Sequence, residues 1–422
     1  MIKILHITPH MGGGVGSLIS KIILNSENIL DNKIIIQEKP VNTNFIDSIE
    51  DKSRVIQSPG HCRIKTEIEW CDLVIIHWWH HPKTSEFIYN FPKTKTRVVF
   101  WSHISNLTTP AMNMAMIKEA NRTLFTTEAS YESKLYSSED KEILLKKTNV
   151  VYGCGGLEKF ETMDIRKPIG FNIGYLGLID FSKMHPDFMD FCEAIKLKES
   201  KFIFAGDGEA VDFIKKEKIK RKIKNEFIFL GYINNIEEIL SQTHIFGYPL
   251  ANYHTCTTEN SILEAMALEV VPVVMNQLSE KYIIENGKTG FLVSNKDEYG
   301  DVIRYLYKNP DIRRNIGENA RKYVMKKFTS ENILGRLYKA CEEVVTEPKK
   351  IFNFKSVMGN TYSEWFLSGI GCDSRYFLNN KEYNIKDCSP LLKMSNKGSI
   401  FHYEREFNDE KICMWADMIR KK

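Results

Sequence analysis

The sequence predicts an α/β protein made of two Rossmann-like, doubly wound parallel-sheet domains and a C-terminal appendage. Short apolar runs alternate with helical patterns over residues 1–152, and the alternation resumes after Pro168. It stops at residue 347, where aromatic and charged residues mix instead. Strands that alternate with helices form parallel sheets through right-handed crossovers. The two series are divided by a break near 160–170, which contains the linker-like run Arg166-Lys167-Pro168.

The first series begins with a buried strand at residues 2–8. A glycine-led stretch at 12–24 then carries apolar residues at helical spacing, which predicts a loop that enters a helix. The predicted strands of this series are 2–8, 33–37, 72–77, 97–101, 122–126 and 148–152.

The second series repeats the pattern and ends in a run of helices. Its predicted strands are 172–176, 201–205, 226–230, 244–248 and 271–274. Its predicted helices lie near 186–197, 209–217, 235–241, 260–268, 298–307, 310–327 and 330–346. We therefore expect domains at 1–165 and 166–346, and a small, irregular, folded extension at 347–422.

Composition excludes several classes of protein. A net charge of +4 without an arginine-rich stripe argues against a nucleic-acid partner. Nine cysteines without a Cys-x-x-Cys pair predict neither a zinc site nor a disulfide framework. No apolar run approaches the roughly 18 residues of a membrane span, and Met1–Thr8 fits a buried strand better than a secretion signal. We expect a cytoplasmic protein with reduced thiols.

The most informative segment is Thr258–Ala267, in which a polar turn opens a short helix. The first N–H groups of a helix have no partner within it, and its dipole is positive there, so this end suits a phosphate. Asn260 and Ser261 lie in that first turn. Glu264 follows one turn later, where a carboxylate accepts hydrogen bonds from sugar hydroxyls. This arrangement predicts the handling of a nucleotide sugar.

Glycine-rich turns follow two predicted strands. Gly12–Gly16, with Gly14 and Gly16, opens a helix, and Gly206 ends the strand at 201–205. Such turns let the backbone approach a ligand, but they also serve as tight strand–helix connections. Ser17 stands where the third glycine of a dinucleotide fingerprint belongs, which argues against NAD.

Charged and polar side chains follow other strands. Lys183 lies in the loop after 172–176 and could neutralise a diphosphate leaving group, although most lysines are only solvated. His103 follows the strand at 97–101. The cluster His77, His80 and His81 at the end of 72–77 is a candidate for acceptor contact rather than for metal, because no carboxylate partner lies nearby in sequence. No Asp-x-Asp occurs, and a structural role is the commoner one for a histidine after an apolar run.

These motifs resemble the family 4 glycosyltransferases, retaining enzymes whose GT-B fold has two Rossmann-like domains facing across a cleft. The resemblance covers about residues 1–346. It is carried by Gly177 with Lys183, Ala205–Gly208, Phe229–Tyr232, Asn260–Ala267 with Pro272, and Asn286–Val293. It implies a nucleotide-sugar substrate with UDP as the nucleotide, no further cofactor and no metal.

The resemblance also implies a role for each donor-site residue. Glu264 would hold the ribose hydroxyls, and the backbone at Asn260 and Ser261 would bind phosphate. Lys183 would face the diphosphate.

Further roles follow from the same resemblance. Leu230 would lie beside the base, and Gly206 would let the backbone approach the donor. The loop with Gly14 and Gly16 would close against the phosphates, and His103 would contact the transferred sugar.

The implied activity is the metal-independent, retaining transfer of a sugar to a hydroxyl of a glycan or lipid-linked acceptor, in bacterial surface polysaccharide or glycoconjugate synthesis. The domain at 1–165 would be the acceptor side, and the domain at 166–346 would bind the donor. A peripheral contact with the inner face of the membrane is a further expectation. The basic residues of 347–422 would serve it, unless this extension is purely structural.

Two departures from the family pattern keep other functions open. The family's paired glutamates are eight positions apart, so Cys256 stands where the first belongs. Leu178 replaces the arginine that usually follows the glycine of the first loop, which leaves Lys183 alone to face the leaving group. The alternatives are a non-catalytic GT-B subunit that binds a partner transferase or glycan, and a nucleotide-sugar epimerase.

Overall fold

A computed structural model describes residues 1–165, 167–233, 235–378 and 383–421. The chain forms two compact units. The first contains Met1–Gly155, Thr255–Thr257 and Ser330–Lys422, and the second contains Gly156–His254 and Thr258–Thr329. Arg166, one residue of the predicted linker, lies outside the described part of the chain.

The first unit is built on a seven-stranded parallel sheet with the order β3-β2-β1-β4-β5-β6-β7. Its strands are β1 Ile2–Thr8, β2 Leu30–Ile36, β3 Arg54–Gln57, β4 Leu73–Trp78, β5 Val98–Ser102, β6 Arg122–Phe125 and β7 Thr148–Val150. The helices between them are α1 Gly13–Asn25, α2 Asn44–Asp47, α3 His61–Trp70, α4 Pro82–Tyr89, α5 Met114–Glu119 and α6 Lys141–Lys147. The central strands are buried on both faces because helices cover both sides of the sheet, and most of their residues are apolar.

The second unit is built on a six-stranded parallel sheet with the order β10-β9-β8-β11-β12-β13. Its strands are β8 Asn172–Leu176, β9 Lys201–Ala205, β10 Glu226–Phe229, β11 Ile245–Tyr248, β12 Val271–Met275 and β13 Phe291–Val293. Its helices are α7 Phe188–Ala194, α8 Ala210–Lys220, α9 Ile236–Ser241, α10 Asn260–Ala267, α11 Lys296–Lys308 and α12 Pro310–Lys327. The prediction of two parallel α/β sheets is confirmed.

The end of the chain returns to the first unit as helices. These are α13 Ser330–Val345, α14 Lys355–Met358, α15 Tyr362–Ser368, α16 Ser374–Phe377, α17 Pro390–Lys393, α18 Ile400–Glu406 and α19 Glu410–Arg420. A capping box starts α15, in which the Thr361 side chain accepts from the Glu364 N–H and the Glu364 side chain accepts from the Thr361 N–H. The extension is therefore helical, and the expectation of an irregular appendage is wrong.

The extension shares one hydrophobic core with the first sheet. Phe354 packs edge-on against Phe100 of β5, with ring centroids 5.5 Å apart, and Tyr89 of α4 lies 4.4 Å from the Trp365 ring. Trp365 is 3% exposed. The predicted domain boundaries at 165 and 346 differ from the observed ones, because α13 and the extension belong to the first unit. These helices cover one face of the first sheet.

Two short edge strands were not predicted. β3 has the sequence Arg-Val-Ile-Gln and is at most half-buried, and β13 is three residues long. Neither has an apolar run of the length that marks a central strand. In the described part of the chain, no helix combines the length and the apolar character that crossing a bilayer requires.

Candidate active site

The candidate site in the second unit begins where β8 and β9 end in glycines. Gly177 and Gly206 have φ angles of +138° and +136°. A Cβ on Gly206 would overlap the carbonyl oxygen of Gly177, so the two turns approach each other more closely than any side chain permits. The Gly177 N–H donates to the Ala205 carbonyl at 2.9 Å, and the Ile179 N–H donates to the Asp207 carbonyl at 3.0 Å. The predicted tight turn at Gly206 is thus observed, and its role toward a ligand stays a prediction.

Three polar groups converge on the bare backbone of Gly177. The position of a Cβ on Gly177 lies 3.1 Å from the Tyr248 hydroxyl, 3.5 Å from Lys183 Nζ and 3.9 Å from Ser261 Oγ. These groups come from β11, from the loop after β8 and from the first turn of α10. They stand at the carboxyl edge of the sheet, where open α/β folds bind ligands.

Lys183 is held in this cluster by an ion pair. Its Nζ lies 2.9 Å from Glu259 Oε2, and the Tyr248 hydroxyl donates to the same oxygen at 3.1 Å. The Lys183 N–H donates to the Asp180 carbonyl, and its own carbonyl accepts from the Ala251 N–H. The side chain of Lys183 is 21% exposed and that of Glu259 is 9% exposed. The ammonium therefore lies at the start of α10, where a carboxylate already balances its charge, and its role toward a diphosphate stays a prediction.

Glu259 is the N-cap residue of α10, the helix predicted to bind phosphate. Its side chain makes no capping hydrogen bond, because the carboxylate turns to Lys183 instead. Asn260 and Ser261 form the first turn of this eight-residue helix, and both are half-buried. Glu264 lies one turn further along and is also half-buried.

Leu230 follows β10 at the same edge. It is 38% exposed, and its N–H donates to the Phe204 carbonyl at 2.9 Å. Gly206 forms an isolated bridge with Gly231, and Asp207 accepts from the Tyr232 N–H at 3.0 Å. The segment predicted to lie beside the base therefore joins the Gly206 turn.

The two departures from the family pattern lie in different surroundings. Leu178 is 49% exposed and offers no charge. Cys256 is half-buried in Thr255–Thr257, a segment that groups with the first unit, where the Ser105 N–H donates to the Thr255 carbonyl at 3.1 Å.

In the first unit, the predicted site histidines lie at the ends of β4 and β5. His103 is half-buried, and its N–H donates to the Trp78 carbonyl. Its Nε2 lies 2.8 Å from Nδ1 of His77, and the two rings stack with centroids 5.0 Å apart. Burial lowers the pKa of His103 to about 3, so the ring is neutral near pH 7.

His77 and His80 use both ring nitrogens inside the unit. His77 bonds to His103 and, through Nε2, to His6 at 3.0 Å. His80 places Nδ1 3.1 Å from the Gly398 carbonyl and Nε2 3.0 Å from the Phe366 carbonyl, and both histidines are buried. An acceptor contact through either ring would require these bonds to break, and the acceptor role stays a prediction.

His81 belongs to a polar cluster at the same edge that has the ligand types of a metal site. Ligand atoms of His10, Glu38 and His81 lie within 4.8 Å of one another, as do those of Glu38, His402 and Glu406. His81 Nε2 stands 3.3 Å from Glu38 Oε1. The cluster thus brings a carboxylate partner to His81 that sequence spacing did not reveal.

The protonation pattern of this cluster argues against metal binding as it stands. Nδ1 of His10, His81 and His402 accepts a main-chain N–H, from Gly12, Lys83 and Gly398 respectively. The neutral rings of His81 and His402 therefore carry their proton on Nε2, the nitrogen that would ligate an ion, whereas Nε2 of His10 lies 2.6 Å from Lys397 Nζ. Metal-bound histidines instead donate through their second nitrogen.

The glycine loop of the first unit opens α1. Gly12 is the N-cap, Gly13 has a φ of +59° and Gly14 is exposed. A Cβ on Gly16 would overlap the Met11 carbonyl oxygen, so packing alone requires a glycine there. Gly13 and Gly14 are exposed residues in the first turn of the helix, and an anion contact at Gly14 stays a prediction.

Comparisons with known proteins found a similar family model and similar structures. Residues 171–323 match the family model described as glycosyl transferases group 1. Over 161 residues the chain is 27% identical to N-acetyl-alpha-D-glucosaminyl L-malate synthase of Bacillus anthracis, which covers 38% of this chain and 42% of that protein. The chain thus spans less than half the length of this curated relative.

Solved structures share the fold over most of the chain. Anabaena HepE in complex with UDP and glucose matches with a TM-score of 0.63 at 14% identity, covering 81% of this chain and all of that chain. A glycosyltransferase from Rickettsia africae matches with a TM-score of 0.65 at 14% identity, covering 82% and 99%. The two parallel α/β sheets therefore define the GT-B fold. Within it, residues 171–323 are the part of the chain that is similar to the glycosyl transferases group 1 model.

Proposed function

We propose that this protein is a glycosyltransferase that moves a sugar from a UDP donor to a hydroxyl of a glycan or lipid-linked acceptor, with retention and without a metal. The observation that carries the proposal is the convergence of Lys183 Nζ, Tyr248 Oη and Ser261 Oγ on the backbone of Gly177, within the matched group 1 domain. The UDP in the HepE complex supports the choice of nucleotide. The acceptor and the place in surface polysaccharide or glycoconjugate synthesis follow from the family resemblance.

The physical case rests on charge. Cleavage of the donor bond places negative charge on the diphosphate and positive character on the sugar carbon. The Lys183 ammonium and the first N–H groups of α10 supply donors for the diphosphate, which lowers the barrier without a divalent ion. Glu264 holds the ribose hydroxyls, and Leu230 packs beside the base.

Retention follows from the resemblance rather than from geometry. The acceptor hydroxyl attacks on the face that the diphosphate leaves, and the leaving phosphate takes the acceptor proton. His103 contacts the transferred sugar, Gly14 and Gly16 approach the phosphates, and His81 is the remaining candidate for acceptor contact. A peripheral membrane encounter with a lipid-linked acceptor belongs to this proposal.

The experiment measures UDP release from several UDP-sugars by the purified chain, with and without EDTA. We expect release that EDTA does not change and that Glu264→Ala abolishes. Glu238→Ala is the matched control, because Glu238 is an exposed glutamate on α9. Release that stops with EDTA, or that survives Glu264→Ala, would refute the proposed chemistry.

A second function is favoured by one specific observation. The Lys183–Glu259 ion pair places a carboxylate at the predicted phosphate site, and Leu178 supplies no second cation. A non-catalytic GT-B subunit that binds a partner transferase or glycan would tolerate both features. Tight binding of UDP without turnover on any acceptor would support this alternative.

A further inference from the structure

A hydrogen-bonded row of side chains crosses the first sheet from β2 to the end of β5. Asn32 lies on β2, His6 on β1, His77 on β4 and His103 just beyond β5, and these four strands are neighbours in the sheet. His6 Nε2 stands 3.1 Å from Asn32 Oδ1. The remaining links are His6 Nδ1 to His77 Nε2 at 3.0 Å and His77 Nδ1 to His103 Nε2 at 2.8 Å.

At the β2 end of the row, the hydrogen bonds of Ser26 fix the orientation of the Asn32 amide. The Ser26 hydroxyl donates to the Ile23 carbonyl at 3.4 Å, so its oxygen accepts from Asn32 Nδ2 at 3.1 Å. This orients the Asn32 amide with its oxygen toward His6. Asn32 and Ser26 are 6% and 0% exposed, so water does not replace these partners.

The orientation of the Asn32 amide determines which nitrogen of each histidine ring carries the proton. Asn32 Oδ1 is an acceptor, so His6 carries its proton on Nε2 and accepts at Nδ1. His77 then donates from Nε2 and accepts at Nδ1, and His103 donates from Nε2. Burial lowers the pKa of His6 to about 4 and holds that of His77 well below its ordinary value, so each ring carries one proton.

We propose that Asn32, His6 and His77 are positioning residues that hold His103 in its Nε2–H form, so that Nδ1 of His103 always presents a lone pair. This inference rests on the proposed function for its consequence, which is that His103 accepts a hydrogen bond from a sugar hydroxyl and cannot donate one. The site thereby selects a sugar with a donating hydroxyl at the contacted carbon over one with fluorine or a methyl ether there.

The direct test is the protonation state of His103 in the full-length protein, read from long-range ¹H–¹⁵N correlations of ¹⁵N-histidine. His103→Gln assigns the signals. We expect Nδ1 of His103 to be unprotonated and Nε2 to carry the proton near pH 7. A proton on Nδ1 would overturn the proposal, whether or not the protein transfers sugar.

Two substitutions at the far end of the row sharpen the test. Asn32→Asp offers only acceptor oxygens to His6 and should leave His103 unchanged. Asn32→Leu removes the acceptor, and a buried unpaired N–H is costly. The row should therefore invert and place the proton of His103 on Nδ1. An unchanged His103 in a folded Asn32→Leu protein would overturn the proposal. If the Leu variant does not fold, the protonation state of His103 in the wild-type protein still decides it.

Activity then separates this inference from the proposed function. If the wild-type protein transfers sugar, Asn32→Asp should retain the rate, and Asn32→Leu should lose about tenfold or more in kcat/KM, the cost of one misdirected hydrogen bond. Equal rates for both variants, with an inverted His103 in one, would refute the sugar contact. If the wild-type protein has no transferase activity, the proposed function fails while the NMR result still decides the row.

Discussion

The first prediction concerns the negative charge of Glu259 and its effect on UDP binding. Glu259 Oε2 lies 2.9 Å from Lys183 Nζ at the start of α10. Under the proposed function, a donor phosphate would meet the same ammonium. Binding of UDP must either displace the carboxylate or bring two anions together. We therefore expect Glu259→Gln to bind UDP more tightly.

The magnitude follows from the charges. A unit-charge pair at about 4 Å is worth about 4 kcal/mol at an effective dielectric of about 20. Only part of this reaches the binding constant, because Lys183 keeps some contact with water and also loses a partner that positions it. A net gain of about 1.4 kcal/mol, or about tenfold in Kd, is the expected result.

Isothermal titration with UDP at low and at high salt measures this change. Glu209→Gln is the matched control, because Glu209 is an exposed N-cap glutamate of α8 in the same unit. Salt should weaken UDP binding to the Glu259→Gln protein, since screening shortens the reach of an exposed charge. Weaker binding by Glu259→Gln than by the wild-type protein would refute the reasoning and would make Glu259 a support for Lys183.

Three further predictions test the site and the fold. Lys183→Ala should lower kcat about 100-fold or more, with a smaller change in the Kd for UDP. The control Lys216→Ala, on α8, should change neither quantity. Equal losses in kcat and in UDP binding would show that Lys183 has no specific role toward the leaving group. Trp365→Ala should lower the free energy of unfolding by about 3–5 kcal/mol in urea denaturation, because its buried ring completes the core of the first unit; a loss below about 1 kcal/mol would contradict a shared core. Acid should destabilise the protein, since the unfolded chain protonates His6 below its ordinary pKa of 6.5 and the folded chain only below about 4. Unfolding therefore takes up a proton, and the free energy of unfolding falls by about 3 kcal/mol because of this ring as the pH drops from 6.5 to about 4. Equal urea midpoints near pH 7 and near pH 5 would contradict the expected loss of stability in acid.

The sequence was sufficient for the central strands of both sheets. Runs such as Leu73–Trp78 and Val271–Met275 are buried on both faces, and this burial demands continuous apolar residues. The edge strands Arg54–Gln57 and Phe291–Val293 are not buried on both faces. Their sequences therefore need no continuous apolar run and resemble those of loops. The chain extension was misjudged because its short helices owe their stability to the first sheet rather than to their own periodicity.

The sequence predicted the backbone turns of the candidate site better than its side-chain ion pairs and hydrogen bonds. The turns at Gly177 and Gly206 follow from glycines that end predicted strands. The ion pair between Lys183 and Glu259 joins residues that are far apart in the sequence, and it depends on how β8 and α10 meet. The row from Asn32 to His103 requires the strand order β2-β1-β4-β5, which no local pattern encodes.

The discontinuous first unit has a consequence for how the chain acquires its structure. The strands of the first sheet are covered by helices that follow the second unit in the sequence, whereas most of the second unit is contiguous between Gly156 and Thr329. During translation the first sheet therefore keeps an apolar face uncovered until these later helices have been synthesised, while the second sheet is free to assemble earlier. We expect truncations within α13–α19 to leave this face uncovered and to lower the yield of folded protein.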